Sequence, residues 1–259
     1  MTWRLELSGR RSGTWNMERD AAAAHACAEG ALQPTLRLYG WQPWAVSLGV
    51  HQRPTDIDAD AARRLGFDIV SRPTGGRAIL HADELTYAVV VPANGRSMGE
   101  VYRWVNSAFL AALSSFGVHA DLESSQPDFR AEYRDPRSAV CFTSAARCEV
   151  KVYGRKLIGS AQRRFRGRNG NEVVLQHGSL LLGPGHEQIV DVLAGLSPEA
   201  KTGAREMLKL KSITLGEILG RTVSMAAAAD VVRAACSRSW GAQFEAVTTS
   251  DNVFAEATT

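Results

Sequence analysis

Two short apolar runs, Phe67-Asp68-Ile69-Val70 and Leu85 to Val91, read as strands and bracket a stretch that can continue neither. That stretch is Ser71-Arg72-Pro73-Thr74-Gly75-Gly76-Arg77-Ala78-Ile79-Leu80-His81. Pro73 fixes its own φ and supplies no N–H, while Gly75 and Gly76 permit positive φ and close backbone approach. The chain here must therefore turn between two strands. Adjacent glycines can also aim consecutive N–H groups at one point, which suits an anion or a developing oxyanion. Arg72, Arg77 and His81 place further donors around that point. Taken alone, a Gly-Gly turn between strands is most often only a turn.

Strand and helix patterns alternate on both sides of it. Trp3 to Leu7 reads as a first strand, and Asn16 as the N-cap of an Ala-rich helix reaching about Gly30. Leu36 to Tyr39 and Ala45 to Leu48 read as strands, and Asp56 to Leu65 as a short helix. Val101, Val105, Ala108, Phe109, Ala112 and Phe116 recur at helical spacing, with Gly117 as the stop. Residues 121–139 are polar, contain Pro127 and Pro136, and read as a long loop of the kind that often carries function. A meander follows. Cys148 to Tyr153 and Lys156 to Phe165 are its first two strands, joined at a Gly154-Arg155 turn. Val173 to Leu182 is its third, with Gly178 as a bulge or contact point. From Glu187 onward the pattern is helical, at Ile189–Leu193, Ser212–Ile218 and Met225–Trp240.

The central stretch, followed by Ala82-Asp83-Glu84-Leu85-Thr86-Tyr87, resembles the signature of the lipoate-ligase and octanoyltransferase family, whose fold is shared with biotin protein ligases. Gly154-Arg155-Lys156-Leu157-Ile158-Gly159-Ser160-Ala161-Gln162-Arg163 resembles a second signature of that family, and Leu175-Gln176-His177-Gly178-Ser179-Leu180 a third. The similarity also reaches Asn16-Met17-Glu18 and Ser47 to Gln52. It covers residues 14–185 and thins out beyond. The resemblance implies an α/β fold of the α+β type, with mixed β-sheets flanked by helices. Residues 1–185 would form the acyltransferase domain, and residues 186–259 a helical C-terminal extension packed on it. It also implies that Arg72, Thr74, Gly75, Gly76, Arg77 and His81 line an acyl pocket with Gly159, Ser160, Ala161, His177 and Gly178.

The resemblance further makes Cys141, in Ala139-Val140-Cys141-Phe142, the acyl-accepting nucleophile. Free cysteines are otherwise mostly small buried hydrophobes. Cys148 alternates with Val150 and Val152 on one strand face, a setting that raises a thiol pKa and blunts reactivity. Cys27 and Cys236 lie in Ala-rich helices and look structural. A cysteine with an ordinary pKa is mostly thiol at neutral pH and needs a nearby cation or base. Lys156 is the candidate, since the meander can return it toward Cys141. In the family the lysine of this Gly-Arg-Lys motif contacts the acyl carbonyl.

Within the family the sequence favours a transferase over an ATP-dependent lipoate ligase. Cys141 is present, Arg77 stands where ligases more often have a third glycine, and the stretch after Pro184 is short for a ligase's accessory domain. The resemblance then implies that an octanoyl group passes from acyl carrier protein, through a cysteine thioester, to a lysine of a lipoyl domain or glycine-cleavage H protein. Octanoyl amidotransfer between carrier proteins is the other alternative. No cofactor is expected. The spacing of His25, His51, His119 and His186 suggests no metal site. A formal net charge of +3 is too mild to argue for nucleic acid. Arg163, Arg164, Arg166 and Arg168 could help dock an acidic carrier. No apolar run approaches the roughly 18 residues that span a bilayer, and the N-terminus lacks a signal peptide's apolar core, so a cytoplasmic location away from membranes is expected.

Overall fold

The computed structural model describes residues 2–122 and 149–247. Residues 123–148, which include Cys141 and Cys148, lie outside them. The first half of the chain runs β1 (Thr2–Arg11), α1 (Gly13–Ala28), β2 (Thr35–Trp41), β3 (Ala45–Leu48), α2 (Ala59–Arg64), β4 (Asp68–Ser71), β5 (Ile79–His81), β6 (Glu84–Pro92) and α3 (Met98–Ser115). It continues as β7 (Asp121–Leu122), β8 (Val150–Val152), β9 (Arg155–Arg166), β10 (Glu172–Leu181) and a 3-10 run at Pro184–Val192. Helices α4 (Pro198–Lys211), α5 (Leu215–Leu219) and α6 (Met225–Trp240) precede a last strand, β11 (Gln243–Val247).

Eight strands form one mixed sheet in the order β11-β1-β2-β6-β10-β9-β8-β7, and β4-β3-β5 form a small second sheet. In the large sheet β1 runs parallel to both β2 and β11, while β2, β6, β10 and β9 pair antiparallel in turn. The large sheet is covered on both faces, which is why its central strands read as near-continuous apolar runs. On one face α3 and α6 pack together, burying Val105, Phe109, Val232 and Cys236 against Tyr87, Val89 and Val174. Phe109 is 1% exposed, and emptying its site would cost on the order of 3–5 kcal/mol. Helix α1 covers the other face, with Met17, Ala24 and Cys27 on Tyr39, Val90 and Leu175. It also reaches the small sheet, where a Cβ on Gly13 would lie 2.7 Å from a Val70 methyl. A third cluster joins Val46 and Leu80 of the small sheet to Ile189, Val190 and Leu208.

Three local expectations are corrected. Asn16 is not the cap of α1; Ser12 is, accepting from the Trp15 amide. Asn16 sits inside the helix because its side chain is needed there: it donates to the carbonyls of Arg11 and Gly40 at 3.2 and 3.0 Å and accepts from Arg37. The hairpin turn comprises Tyr153 and Gly154, both at positive φ, and Arg155 already pairs with Val152. The stretch after residue 185 is not purely helical, because β11 extends the large sheet beside β1. It also holds an additional helix, α4, capped by Ser197 with Pro198 at its first position.

Candidate active site

The loop between β4 and β5 lies on the backbone of Leu48 to Val50. The Arg72 amide donates to Leu48 O at 2.9 Å, and the Val50 amide donates to Thr74 O at 3.0 Å. Gly76 has a φ of +97°, and its carbonyl would stand 2.0 Å from a Cβ on Gly49, so both positions need glycine. Arg72 is buried and holds the loop from within. Its guanidinium donates to Gly75 O at 2.9 Å, to Arg77 O at 2.7 Å and to Ser47 O at 2.8 Å. Arg72 thus places its donors within the loop itself. Carbonyls left outside any ladder need donors, and Arg72 supplies them. Arg77, half-buried, contributes its carbonyl to the same clasp.

Both signature histidines are buried and gripped at both ring nitrogens. His177 on β10 has Nε2 2.6 Å from Thr74 Oγ1 and Nδ1 3.1 Å from Asp20 Oδ2. Burial pushes the His177 imidazolium below its ordinary range, and the Asp20 carboxylate only partly opposes this. Burial alone would raise the pKa of Asp20; the nearby Arg37 charge, with the His177 and Tyr39 hydrogen bonds, outweighs it and holds the carboxyl below its usual range. His81 on β5 has Nδ1 2.8 Å from Glu84 Oε1 and Nε2 2.7 Å from Ser47 Oγ, and its ring stacks on Trp41 at 4.0 Å.

The wall opposite the loop is made by β9 and β10. Gly159, Ser160 and Ala161 pair with Ser179, Gly178 and His177 in unbroken register, so Gly178 is a contact point and not a bulge. A Cβ on Gly178 would lie 2.5 Å from Gly159 O and 2.8 Å from the Tyr87 hydroxyl. That hydroxyl is 2.6 Å from Ser160 Oγ, and the Tyr102 hydroxyl donates to Ser160 O at 2.8 Å. The Thr74–His177 bond ties the loop to this wall. Arg163 adds a second tie, donating to Pro73 O at 3.0 Å.

Lys156 is buried near the start of β9, with Nζ 2.5 Å from Glu149 Oε1. Glu149 is also buried, so this is a low-dielectric ion pair. The partner of the lysine sits on the first described residue after the stretch that carries Cys141. Burial pushes the Cys27 thiol up to about 11 and the Cys236 thiol higher still, consistent with inert structural cysteines. Of the basic cluster, Arg164 and Arg166 both pair with Glu172, at 2.5 and 2.6 Å. Among the described residues no group of three or more His, Cys, Asp or Glu side chains could hold a metal ion.

Residues 12–237 match the family described as Lipoyl protein ligase A/B catalytic domain. The chain belongs to this family. It is 43% identical to octanoyltransferase LipM of Symbiobacterium thermophilum over 246 residues, covering 92% of this chain and 86% of the relative. To octanoyltransferase LipM of Kyrpidia tusciae it is 37% identical over 249 residues, covering 94% and 89%. Among solved structures, lipoate-protein ligase A bound with ATP superposes with a TM-score of 0.73 at 19% identity, covering 96% of this chain and 90% of that one. A bipartite lipoate protein ligase from Thermoplasma acidophilum gives 0.73 at 18%, covering 96% and 88%. The fold is the lipoate-protein ligase catalytic fold.

In this family member the three signatures meet in space as loop 71–81, strand β9 and strand β10. Sequence reading missed Asp20, Ser47 and Glu84, which hold the two histidines. Nothing local marks Asp20, one of several charged residues early in the helix pattern, or Ser47, one polar residue in a short apolar strand. Only Glu84 left a signal: it alternates with Thr86 at the start of an otherwise apolar strand, a polar pair on one face that needs buried partners.

Proposed function

We propose that this enzyme, an octanoyltransferase of lipoate biosynthesis, works through a thioester on Cys141, with acyl carrier protein as donor and a lipoyl domain or glycine-cleavage H protein as acceptor. The observation that carries the reading is the convergence of loop 71–81 with Gly159, Ser160, His177 and Gly178 into one site in a chain whose relatives are octanoyltransferases. The Cys141 thiolate attacks the thioester carbonyl of the donor and expels the carrier thiolate. The amine of the acceptor lysine then attacks the new thioester, forming the amide and releasing Cys141. Thioester exchange is nearly isoergic and aminolysis is downhill, so no nucleotide enters the balance. Splitting the transfer between two bulky carriers lets each dock in turn.

In this reading the residues divide the work. Backbone N–H groups near Gly75 and Gly76 hold the oxyanion of each step, with Arg72, Arg77, Thr74 and His81 shaping the loop that carries them. Gly159, Ser160, Ala161, His177 and Gly178 form the wall along which the acyl chain lies. Lys156, oriented by Glu149, stabilises the thiolate and the carbonyl-derived charge. Residues 1–185 act as the catalytic domain, with the rest packed on it, and no nucleic acid takes part. No described helix is long and apolar enough to cross a membrane, and a cytoplasmic location fits the proposed carriers.

Intact-mass analysis after incubation with octanoyl-acyl carrier protein, without ATP, tests the route. One octanoyl adduct is expected on the wild type, none on Cys141→Ala, and an adduct still on Cys148→Ala. An adduct that persists in Cys141→Ala and vanishes in Cys148→Ala would move the nucleophile. Activity only with ATP and free octanoate or lipoate would replace transfer by ligation.

A further inference from the structure

Two buried chains of carboxylate, imidazole and hydroxyl reach the acyl loop, one ending on its Thr74 and the other on Ser47 of β3, which contacts the loop through Arg72. The first runs from Asp20 Oδ2 to His177 Nδ1 at 3.1 Å, and from His177 Nε2 to Thr74 Oγ1 at 2.6 Å. The second runs from Glu84 Oε1 to His81 Nδ1 at 2.8 Å, and from His81 Nε2 to Ser47 Oγ at 2.7 Å. Arg72 Nη1 lies 3.1 Å from that Ser47 oxygen, and the same guanidinium holds Gly75 O. Both chains draw on one face of β10, through His177 and Ser179, since the Ser179 hydroxyl donates to Glu84 Oε1 at 2.7 Å. Gly178, between them, faces the other side.

We propose that Asp20 and Glu84 are positioning residues for octanoyl transfer, each fixing a histidine with its proton on Nδ1 so that Nε2 accepts a hydroxyl hydrogen and clamps the Thr74-Gly75 corner. This rests on the octanoyl-transfer reading for its purpose but not for its geometry.

The two carboxylate oxygens of Asp20 divide their duties. Oδ1 receives Arg37 Nη1 at 2.7 Å, while Oδ2 receives the Tyr39 hydroxyl at 2.8 Å together with His177. Pairing Arg37 accounts for Oδ1 alone. An ionised carboxylate offers only lone pairs, so the nitrogen facing it must carry hydrogen. With the His177 proton on Nδ1, Nε2 has a lone pair, and Thr74 satisfies it by donating. In the second chain Arg72 can only donate, so Ser47 Oγ accepts there and passes its own hydrogen to His81. Every hydrogen along the two chains then has one direction, with Ser179 Oγ at 3.4 Å a weaker second contact for His81 Nδ1. The side chains of Asp20 and Glu84 are 0% exposed, so bulk water cannot replace either acceptor.

Asp20→Asn tests this sharply. The amide oxygen stays with the Arg37 cation, which turns NH2 toward His177. The imidazole must then offer a lone pair at Nδ1 and move its proton to Nε2, against the Thr74 hydroxyl. At Glu84 the His81, Thr86 and Ser179 donors all meet Oε1, so an amide could keep its oxygen there; Glu84→Leu, which removes the acceptor, is the corresponding change. Nitrogen-15 shifts of the imidazoles in histidine-labelled protein, assigned with His177→Gln and His81→Gln, read the tautomers directly. Both rings should be neutral and protonated at Nδ1 in the wild type, and His177 should switch in Asp20→Asn. Octanoyl-adduct formation should slow tenfold or more in Asp20→Asn and in Glu84→Leu, in variants whose circular dichroism matches the wild type. Wild-type rings protonated at Nε2, or adduct formation within twofold of wild type in either folded variant, would overturn the proposal. If a variant does not fold, the wild-type tautomers still decide. A wild type that forms no adduct would instead sink the transfer reading, leaving the tautomer result to stand or fall by itself.

Discussion

In the β8–β9 hairpin the backbone holds itself: Val152 pairs with Arg155, Lys151 with Lys156, and Tyr153 and Gly154 make the turn at φ 52° and 74°. In the loop from Ser71 to His81, side chains do that work. Arg72 closes three carbonyls, Thr74 is pinned by His177, and His81 is pinned by Glu84 and Ser47. The hairpin's own ladder joins neighbours in sequence, with Arg155 also bonding Ser212 O and Glu217, while the loop's shape leans on side-chain partners as distant as Asp20 and His177. A ladder spreads its bonds over many residues, so the hairpin can absorb a lost side chain. The loop's shape rests on a few buried groups, and losing one strands several others.

Arg72→Met should therefore be the most damaging single change in the loop. It leaves the carbonyls of Ser47, Gly75 and Arg77 short of a donor, at about 1–3 kcal/mol for each one that stays buried. A large fall in melting temperature and loss of the octanoyl adduct are expected; near-wild-type stability would show that water enters the loop freely. Gly178→Ala is next, because its Cβ meets Gly159 O and the Tyr87 hydroxyl; overpacking of this kind costs about 1–3 kcal/mol by denaturant melts.

Acid should separate the two regions further. The folded pKa of His177 lies below its ordinary 6.5, so its contribution to stability is full above 6.5 and declines as pH falls through that value. Asp20, with a folded pKa below its ordinary 3.8, adds a second loss as pH falls below 3.8. Amide exchange should rise at Gly76 before it rises at Arg155; simultaneous loss of protection would mean the loop has no separate equilibrium. The smallest effect is expected at Tyr153, 82% exposed and held at positive φ. Tyr153→Asn should stabilise by up to about 1 kcal/mol, since Asn-Gly suits a turn with both residues at positive φ. A loss there would reveal a contact for the tyrosine ring.

The regular elements were legible because their signals are local. Helix α6 spans Met225–Trp240 as its apolar spacing indicates, and α3 stops before Gly117, whose φ of 77° only glycine takes cheaply. The three signatures were legible as short strings of residues, and they do converge in the fold. Apart from the one-residue shift of the Tyr153-Gly154 turn, the misreadings in the fold occurred where a residue answers to a distant partner. Asn16 looks like a cap because capping chemistry is local, yet Gly40 and Arg37 recruit it into the helix interior. β11 carries little apolar pattern, with exposed positions throughout its length, and becomes a strand only because the edge of β1 is there to receive it.

The candidate site divides the same way. Its glycines, its histidines and Lys156 stand out in the chain, because each belongs to a compact run with its own chemistry. Asp20, Ser47 and Glu149 do not, and Glu84 does so only through its alternation with Thr86, because a buried carboxylate or hydroxyl is defined by what it faces. Hydrophobic periodicity and turn glycines act over a few residues and are therefore written into the sequence. The proton order of two imidazoles, and the carbonyls that one guanidinium must satisfy, arise only when strands far apart in the chain are packed within hydrogen-bonding distance, away from water.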